Sequence, residues 1–404
     1  MWRTHSCVPR SHSCERKGCA LVNYRLTCLT PTLVGDGQKL SPIDYMVWKD
    51  HVNVLDQWRI FRLLAKGPRL ESYLTQLKKA DKLDFASWGG FAQNYAGRRI
   101  PFEHPSSTQY WERTHAEHLF IPTFSTGPSG PYLPGTAIKG AFRTGVVHGR
   151  LTERFVTDLA ARIESEGRMP RRPAISVEES ALGPSGADPL RVLSAYDSKT
   201  VPATTFKIYL LRTSTLESRG PAKFEVAWKQ TPRGSVKRAE DSTPVFAEMA
   251  APGSVFEGEW HQNAFLSQPE IGKALRRRAP MNVGAMFELV NAYTEQLLRI
   301  QKQYAEWTGL ALLKSTVEQL EARLTAVREA QRGCILPLGW GAGFLSKVAI
   351  LNTQDETYRG ILRQVGLYAR AIQSGLPFPK TRRIVFLGNQ PASLPGFVHL
   401  EVTH

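Results

Sequence analysis

The chain has 404 residues, 42% of them hydrophobic and 22% charged, with 52 Lys and Arg against 36 Asp and Glu and a formal net charge of +16. That composition excludes a disordered chain, no apolar run reaches membrane-spanning length, and the length predicts two domains with a substantial core. The charge points to a polyanionic partner, and to nucleic acid before a membrane surface, because the basic residues are scattered and do not gather on one amphipathic helix.

Four of the five cysteines fall near the start, at Cys7, Cys14, Cys19 and Cys28, with His5 and His12 among them. No Cys-x-x-Cys pair occurs and the spacing fits no common metal module, so no metal site is expected. Cys334 stands alone, which argues against a disulfide framework and for a reducing cytoplasm. Residues 1–20 lack the apolar core of a secretory signal and read as a disordered extension.

Regular structure is expected from the alternation over residues 21–30, a strand buried on one face and ended by Pro31. Residues 45–48 and 52–55 read as a hairpin, with Asp56 capping the helix that follows. Residues 64–117 read as helices and polar loops carrying Trp88, Tyr95, Tyr110 and Trp111 among basic residues, an insertion that either packs or lies beside RNA. The pattern then predicts a helix from the Thr136 cap through residue 159, on which Arg150 and Arg154 extend the basic line of Lys139 and Arg143. Residues 169–186 are rich in Pro and Gly and read as a loop. Short β-branched and aromatic segments at 190–196, 206–213, 223–228 and 254–260 predict an antiparallel sheet. The turn at 229–238, with Lys229, Arg233, Lys237 and Arg238, is a candidate for phosphate-backbone contact or a solvated turn. Residues 282–332 give the strongest helical pattern, with an apolar seam through Leu310, Leu313, Val317, Leu320, Leu324 and Val327 that core packing explains. A strand at 382–387 and an edge strand at 398–402 close the chain.

Two stretches carry the functional reading. Residues 131–144, PYLPGTAIKGAFRT, put a Pro134-Gly135 turn and a Thr136 cap before a helix whose Lys139 and Arg143 stand four apart on one face. A phosphate at such a start would meet unpaired amides, a dipole and two cations, and Gly140 between the cations leaves room for a polynucleotide backbone. The alternative is a capped surface helix with two solvated cations. A nucleotide-hydrolysing phosphate loop is excluded, because no Gly-x-x-x-x-Gly-Lys-Ser/Thr string occurs. Residues 333–347, GCILPLGWGAGFLSK, place Gly339, Gly341 and Gly343 around Trp340 and before Lys347. Alternating glycines make a concavity of amides for a phosphate, Trp340 a stacking plane and Lys347 a charge. A dinucleotide fold is disfavoured, since a long helix and no β-α-β unit precedes these glycines.

A Pro-Gly-x-x-Ile-Lys-Gly-x-x-Arg helix start paired with a late Gly-Trp-Gly-x-Gly-Phe loop resembles the RAMP superfamily of CRISPR-associated proteins. The stretch from Thr30-Pro31 through Gly35-Asp36-Gly37 to Lys39-Leu40-Ser41-Pro42-Ile43-Asp44-Tyr45 is similar, within that superfamily, to the fifth Csm subunit of type III-A effector complexes. The resemblance covers residues 21–387. It implies an α+β fold of two ferredoxin-like, RRM-related domains, divided here as 21–187, with the helical insertion at about 64–117, and 188–404, with the long helical segment at about 282–332. It further implies a non-catalytic subunit that caps the 3′ region of the crRNA and contributes to its maturation. The partners implied are the crRNA, nearby target RNA, other Csm-type backbone subunits and trimming nucleases. Carried over by residue, RNA binding falls on Thr136, Lys139, Gly140, Arg143, Gly339, Trp340, Gly341, Gly343 and Lys347, with no metal or other cofactor. Thr136-Ala137 departs from the family, which often has two serines there.

Three rivals remain. A RAMP-type endoribonuclease subunit would cut target or precursor RNA with Asp36, in the loop after the first strand, although no cluster of carboxylates accompanies it. A metal-independent processing ribonuclease would use histidine and tyrosine, but His104, His115, His118 and His148 are dispersed. A purely architectural subunit would bind through its helical seam.

Overall fold

The computed structural model describes residues 19–403 apart from 66, 68, 80–81, 84–91, 153, 221–222, 233 and 278–281. The expected extension's Cys7 and Cys14, with Trp88 and Arg233, lie outside the described residues.

The first strand, Cys19–Cys28, alternates as its sequence predicts: Tyr24, Leu26 and Cys28 are buried, while Asn23 and Arg25 face outward. Its antiparallel neighbour Val255–Asn263 repeats the pattern, burying Phe256, Gly258 and Trp260 and exposing Glu257 and Glu259. The sheet runs, in spatial order, Gly333–Pro337, Phe397–Thr403, Cys19–Cys28, Val255–Asn263 and Leu193–Ala195, antiparallel throughout. It takes strands from both sides of residue 187. The C-terminal strand is interior to it, not at an edge, because both Cys19–Cys28 and Gly333–Pro337 bond to it.

A second sheet is ordered Ser235–Val236, Lys223–Lys229, Phe206–Gly220, Thr381–Leu387 and Gln390–Ser393, with Val245–Ala250 on the first half of Phe206–Gly220. The expected hairpin is present as Tyr45–Trp48 with His51–Leu55, joined by Ala96–Pro101 from within the insertion. Asp56 caps the next helix by accepting from the Arg59 amide.

Helix Gly135–Arg150 lies on the buried face of the first sheet, where Phe142 meets Trp260 edge-on at 6.0 Å and Phe287 at 5.9 Å. It ends earlier than predicted: Leu151 is extended, and Arg154–Glu166 is a separate helix. Residues 169–186, read as a loop, contain helix Pro173–Leu182, in which proline at the first position fits the fixed φ and the missing amide. The long helical segment is a hairpin, Val283–Thr308 and Ala311–Ala330, broken where Gly309 turns left-handed. Leu313, Val317, Leu320, Leu324 and Val327 are buried within the chain's own core, the packing role expected of that seam.

The long helix crosses Gly135–Arg150 at close range, and a Cβ on Gly145 would stand 2.9 Å from the Val290 Cα. It also covers the edge of the first sheet. Asn291 donates to the Gly333 carbonyl (3.2 Å) and accepts from the Ile335 amide (3.0 Å), while Thr294 donates to the Ile335 carbonyl (2.6 Å). The outer side of this edge strand, beyond which no further strand lies, is thus satisfied by side chains. Asn291→Ala strands a buried carbonyl and a buried amide, and is expected to lower the unfolding free energy by about 2–5 kcal/mol in denaturant titration.

Candidate nucleic-acid interface

The helix start differs from its sequence reading. Pro134 is the cap residue, Thr136 lies inside the first turn and is exposed, and its side chain makes no capping bond. The Gly135 amide instead donates to Asp197 Oδ1 at 2.9 Å, so a carboxylate of the chain already faces the helix dipole there.

The two cations on this helix are engaged within the fold. Lys139 Nζ donates to the Leu193 carbonyl at 2.7 Å, and partial burial lowers its pKa. Arg143 pairs with Glu178 at 2.6 Å and Asp188 at 2.5 Å; burial alone would lower its pKa, but the two carboxylates raise it. Gly140 is exposed, and a Cβ there would meet nothing within 4 Å. The aromatics of the insertion likewise sit on internal cations, Tyr95 under Arg59 at 5.3 Å and Trp111 under Lys82 at 4.9 Å. In the basic turn, Arg238 pairs with Glu240 at 3.5 Å.

The glycine loop leaves strand Gly333–Pro337, which the sequence reading missed because its short apolar run adjoins a long helix. Gly339, Gly341 and Gly343 have φ of +84°, +86° and +86°. At Gly339 the conformation is doubly required, since a Cβ would lie 2.1 Å from the Leu33 carbonyl oxygen. The Trp340 amide donates to that same carbonyl at 2.7 Å. Among the described residues, the amides of Gly341 and Gly343 donate to no protein acceptor, while Trp340 and Gly341 form the tip of a hydrogen-bonded turn. Amide hydrogens left open in this way are available to an acceptor outside the chain. Trp340 is half-buried and the Arg383 guanidinium stands 4.3 Å from its ring centre, so one face of the stacking plane is occupied.

The segment after the glycines is anchored from the core. Tyr293 donates to the Leu345 carbonyl at 2.6 Å, and His148 Nδ1 contacts the Ala349 carbonyl at 2.6 Å. These bonds place Lys347 opposite the helix, where a cleft of about 270 Å³ has Gly140 and Thr144 on one wall and Gly339, Ser346 and Lys347 on the other. A second cleft of about 500 Å³ shares Gly140, Thr144 and Lys347 and continues over Phe344, Tyr358 and Tyr368. Lys347 makes no ion pair or side-chain hydrogen bond to the described residues; it reaches solvent at the mouth while the crowding walls lower its pKa. The two motifs therefore meet, but at Gly140 and Lys347 rather than at the helix start. Sequence reasoning passed over Thr144, one turn beyond Gly140, and Ser346 and Phe344, which flank Lys347 within the same loop.

Asp36, the rival catalytic residue, accepts from the Gln38 amide at 3.0 Å and so closes its own turn. The described residues hold no group of three His, Cys, Asp or Glu arranged for a metal, and no helix among them is long and apolar enough to cross a membrane.

A model of the RAMP superfamily matches residues 25–346. Among solved structures, a chain of the Csm-crRNA-target RNA ternary complex of a type III-A CRISPR-Cas system superposes with a TM-score of 0.62 at 21% identity, over 94% of this chain and 100% of that one. Csm5 of T. onnurineus superposes with a TM-score of 0.56 at 18% identity, over 93% of this chain and 99% of its own. No curated protein sequence matches.

Gly339→Ala is expected to abolish the loop's seat on Leu33 and depress the melting temperature sharply. Gly343→Ala, with open space around it, costs only the left-handed conformation, about 1–2 kcal/mol, so the two melting curves should separate.

Proposed function

The chain belongs to the RAMP superfamily, and from that premise we propose that it is a guide-RNA-binding subunit of a type III-A CRISPR effector complex, with no cleavage chemistry of its own. It holds the 3′ region of the crRNA and contributes to its maturation in the cytoplasm, beside target RNA, other Csm-type subunits and trimming nucleases. The observation that carries the reading is the cleft between Gly140 and Lys347, with the unpaired amides of the adjoining glycine loop. A phosphodiester there gains amide donors and a cation, and the bare Gly140 wall admits the strand. Likeness of fold, along nearly the full length, to a chain from a crRNA-containing assembly and to Csm5 supports the same reading.

On this reading the fold is a pair of ferredoxin-like units. The first sheet supports one of them: with the added Gly333–Pro337 set aside, its strands lie in the spatial order fourth, first, third, second, with Gly135–Arg150 and Val283–Thr308 as the two crossing helices. The second sheet, inserted between Leu193–Ala195 and Val255–Asn263 and completed near the C terminus, would be the centre of the other. The 21–187 and 188–404 division is then a division of motifs, each half supplying one wall of the cleft.

Lys347→Ala is expected to weaken binding of single-stranded RNA and to reduce the slope of log affinity against log salt by about 0.7, the loss of one phosphate contact. The functional test is purification of the neighbouring Csm subunits with wild-type chain, with Lys347→Ala and without the chain, followed by sequencing of the RNA 3′ ends retained. A changed 3′ boundary in both altered preparations supports capping. Unchanged ends with lost target cutting, reproduced by Asp36→Ala, would replace it with the nuclease reading.

A further inference from the structure

The larger cleft beside Lys347, of about 500 Å³, is used only at its mouth by a phosphate held there. Beyond Lys347 it turns apolar, running over Val348 and Ile350 toward helices Glu356–Arg363 and Gly366–Gln373. Phe344 and Tyr368 are partly exposed in it, and their rings meet edge-on at 5.2 Å. Phe378 stands 5.1 Å from Phe344 and 5.6 Å from Tyr368 and backs both rings. The aromatic wall is therefore held by its own packing before any ligand arrives.

A polar group in this apolar lining lacks a partner. Tyr358 is 7% exposed, yet its hydroxyl bonds to no described residue. Unlike the sealed indole nitrogens of Trp48 and Trp260, its oxygen keeps some accessible surface. Burial and the neighbouring Tyr368 raise its pKa to about 12, so at neutral pH it retains a proton to donate. Of the charged groups in the lining, Arg143 and Glu178 neutralise each other at 2.6 Å, while Lys347 has no partner among the described residues. The cleft thus offers an aromatic wall, an open hydroxyl and a free cation at its entrance. A purely aliphatic occupant would leave the last two unused, whereas a nucleotide uses all three.

Resting on the RNA-binding reading above, we propose that this cleft receives one unpaired base of the bound strand, splayed out from the backbone whose phosphate Lys347 holds. The base lies against Phe344 and Tyr368, with one edge on the Tyr358 hydroxyl. A flat apolar wall with so few polar groups separates a base from no base far better than one base from another. The cleft therefore anchors a nucleotide without reading its sequence.

The test is titration of the folded full chain with a short single-stranded RNA and with copies in which one base at a time is removed, the sugar-phosphate backbone being kept. Removal at one position is expected to weaken binding about tenfold, and replacement by another base there to change it little. Val365 lines the apolar end of this cleft and is absent from the smaller cleft between Gly140 and Lys347, so Val365→Trp fills the base site and spares the phosphate site. That variant should lose about tenfold on the intact RNA and nothing further on the RNA lacking the critical base, because both changes remove the same contact. Tyr358→Phe, which deletes only the hydroxyl, should lose about threefold and keeps the test decisive should Val365→Trp fail to fold. Losses that add, or base removal without effect at every position while Lys347→Ala still weakens binding, would overturn the base site and leave the RNA-binding reading standing. RNA binding untouched by Val365→Trp, with association with Csm-type subunits lost, would give the cleft to a protein side chain instead. No saturable binding of the intact RNA by the wild-type chain would overturn both readings.

Discussion

The edge strand Gly333–Pro337 is the constraint on which the candidate interface depends. A strand with one unpaired side needs its amides and carbonyls met, and here Asn291 and Thr294 of the long helix meet them. That demand fixes the long helix along the sheet margin. The helix in turn presses on Gly135–Arg150 at Gly145, and the loop leaving the strand has to turn within reach of both. The position of Lys347 opposite Gly140 is thus an outcome of hydrogen-bond satisfaction several residues away.

Net charge is a poor guide to which cations face a ligand. Arg382 is buried, held by the Gln301 side chain and the Pro379 and Thr381 carbonyls, stacked on Tyr304, and burial lowers its pKa to about 10. Arg143 serves two carboxylates, and Lys139 serves a backbone carbonyl. These residues spend their charge on the fold, where a partner close by strengthens each bond in a medium of low permittivity. A cation with no internal partner, such as Lys347, has its charge left for something outside the chain.

Much of the architecture was legible because local pattern and tertiary demand agree. Strand Cys19–Cys28 alternates, the Leu313–Val327 seam repeats at helical spacing, and Asp56 caps as its side chain predicts. The misreadings arise where a distant group decides. Thr136 is a good cap by type, but Asp197 arrives from another segment and takes the Gly135 amide. Residues 169–186 look like a loop by composition, yet proline at a helix start is favourable and Pro173 occupies that position. The glycine loop was recognisable from spacing, whereas the engagement of Arg143 by Glu178 and Asp188 is invisible without the fold.

The first strand lies between Val255–Asn263 and Phe397–Thr403, both of them partners made much later in synthesis than itself. As the polypeptide leaves the ribosome, Cys19–Cys28 emerges with both edges open, one until Val255–Asn263 has followed and the other until Phe397–Thr403 has. Assembly of this sheet is therefore a late event that closes large loops, slow by its topology and exposed meanwhile to pairing with other nascent chains. A product stopped before Phe397 has no means of closing this sheet, and the long helix and its glycine loop lose the platform they rest on.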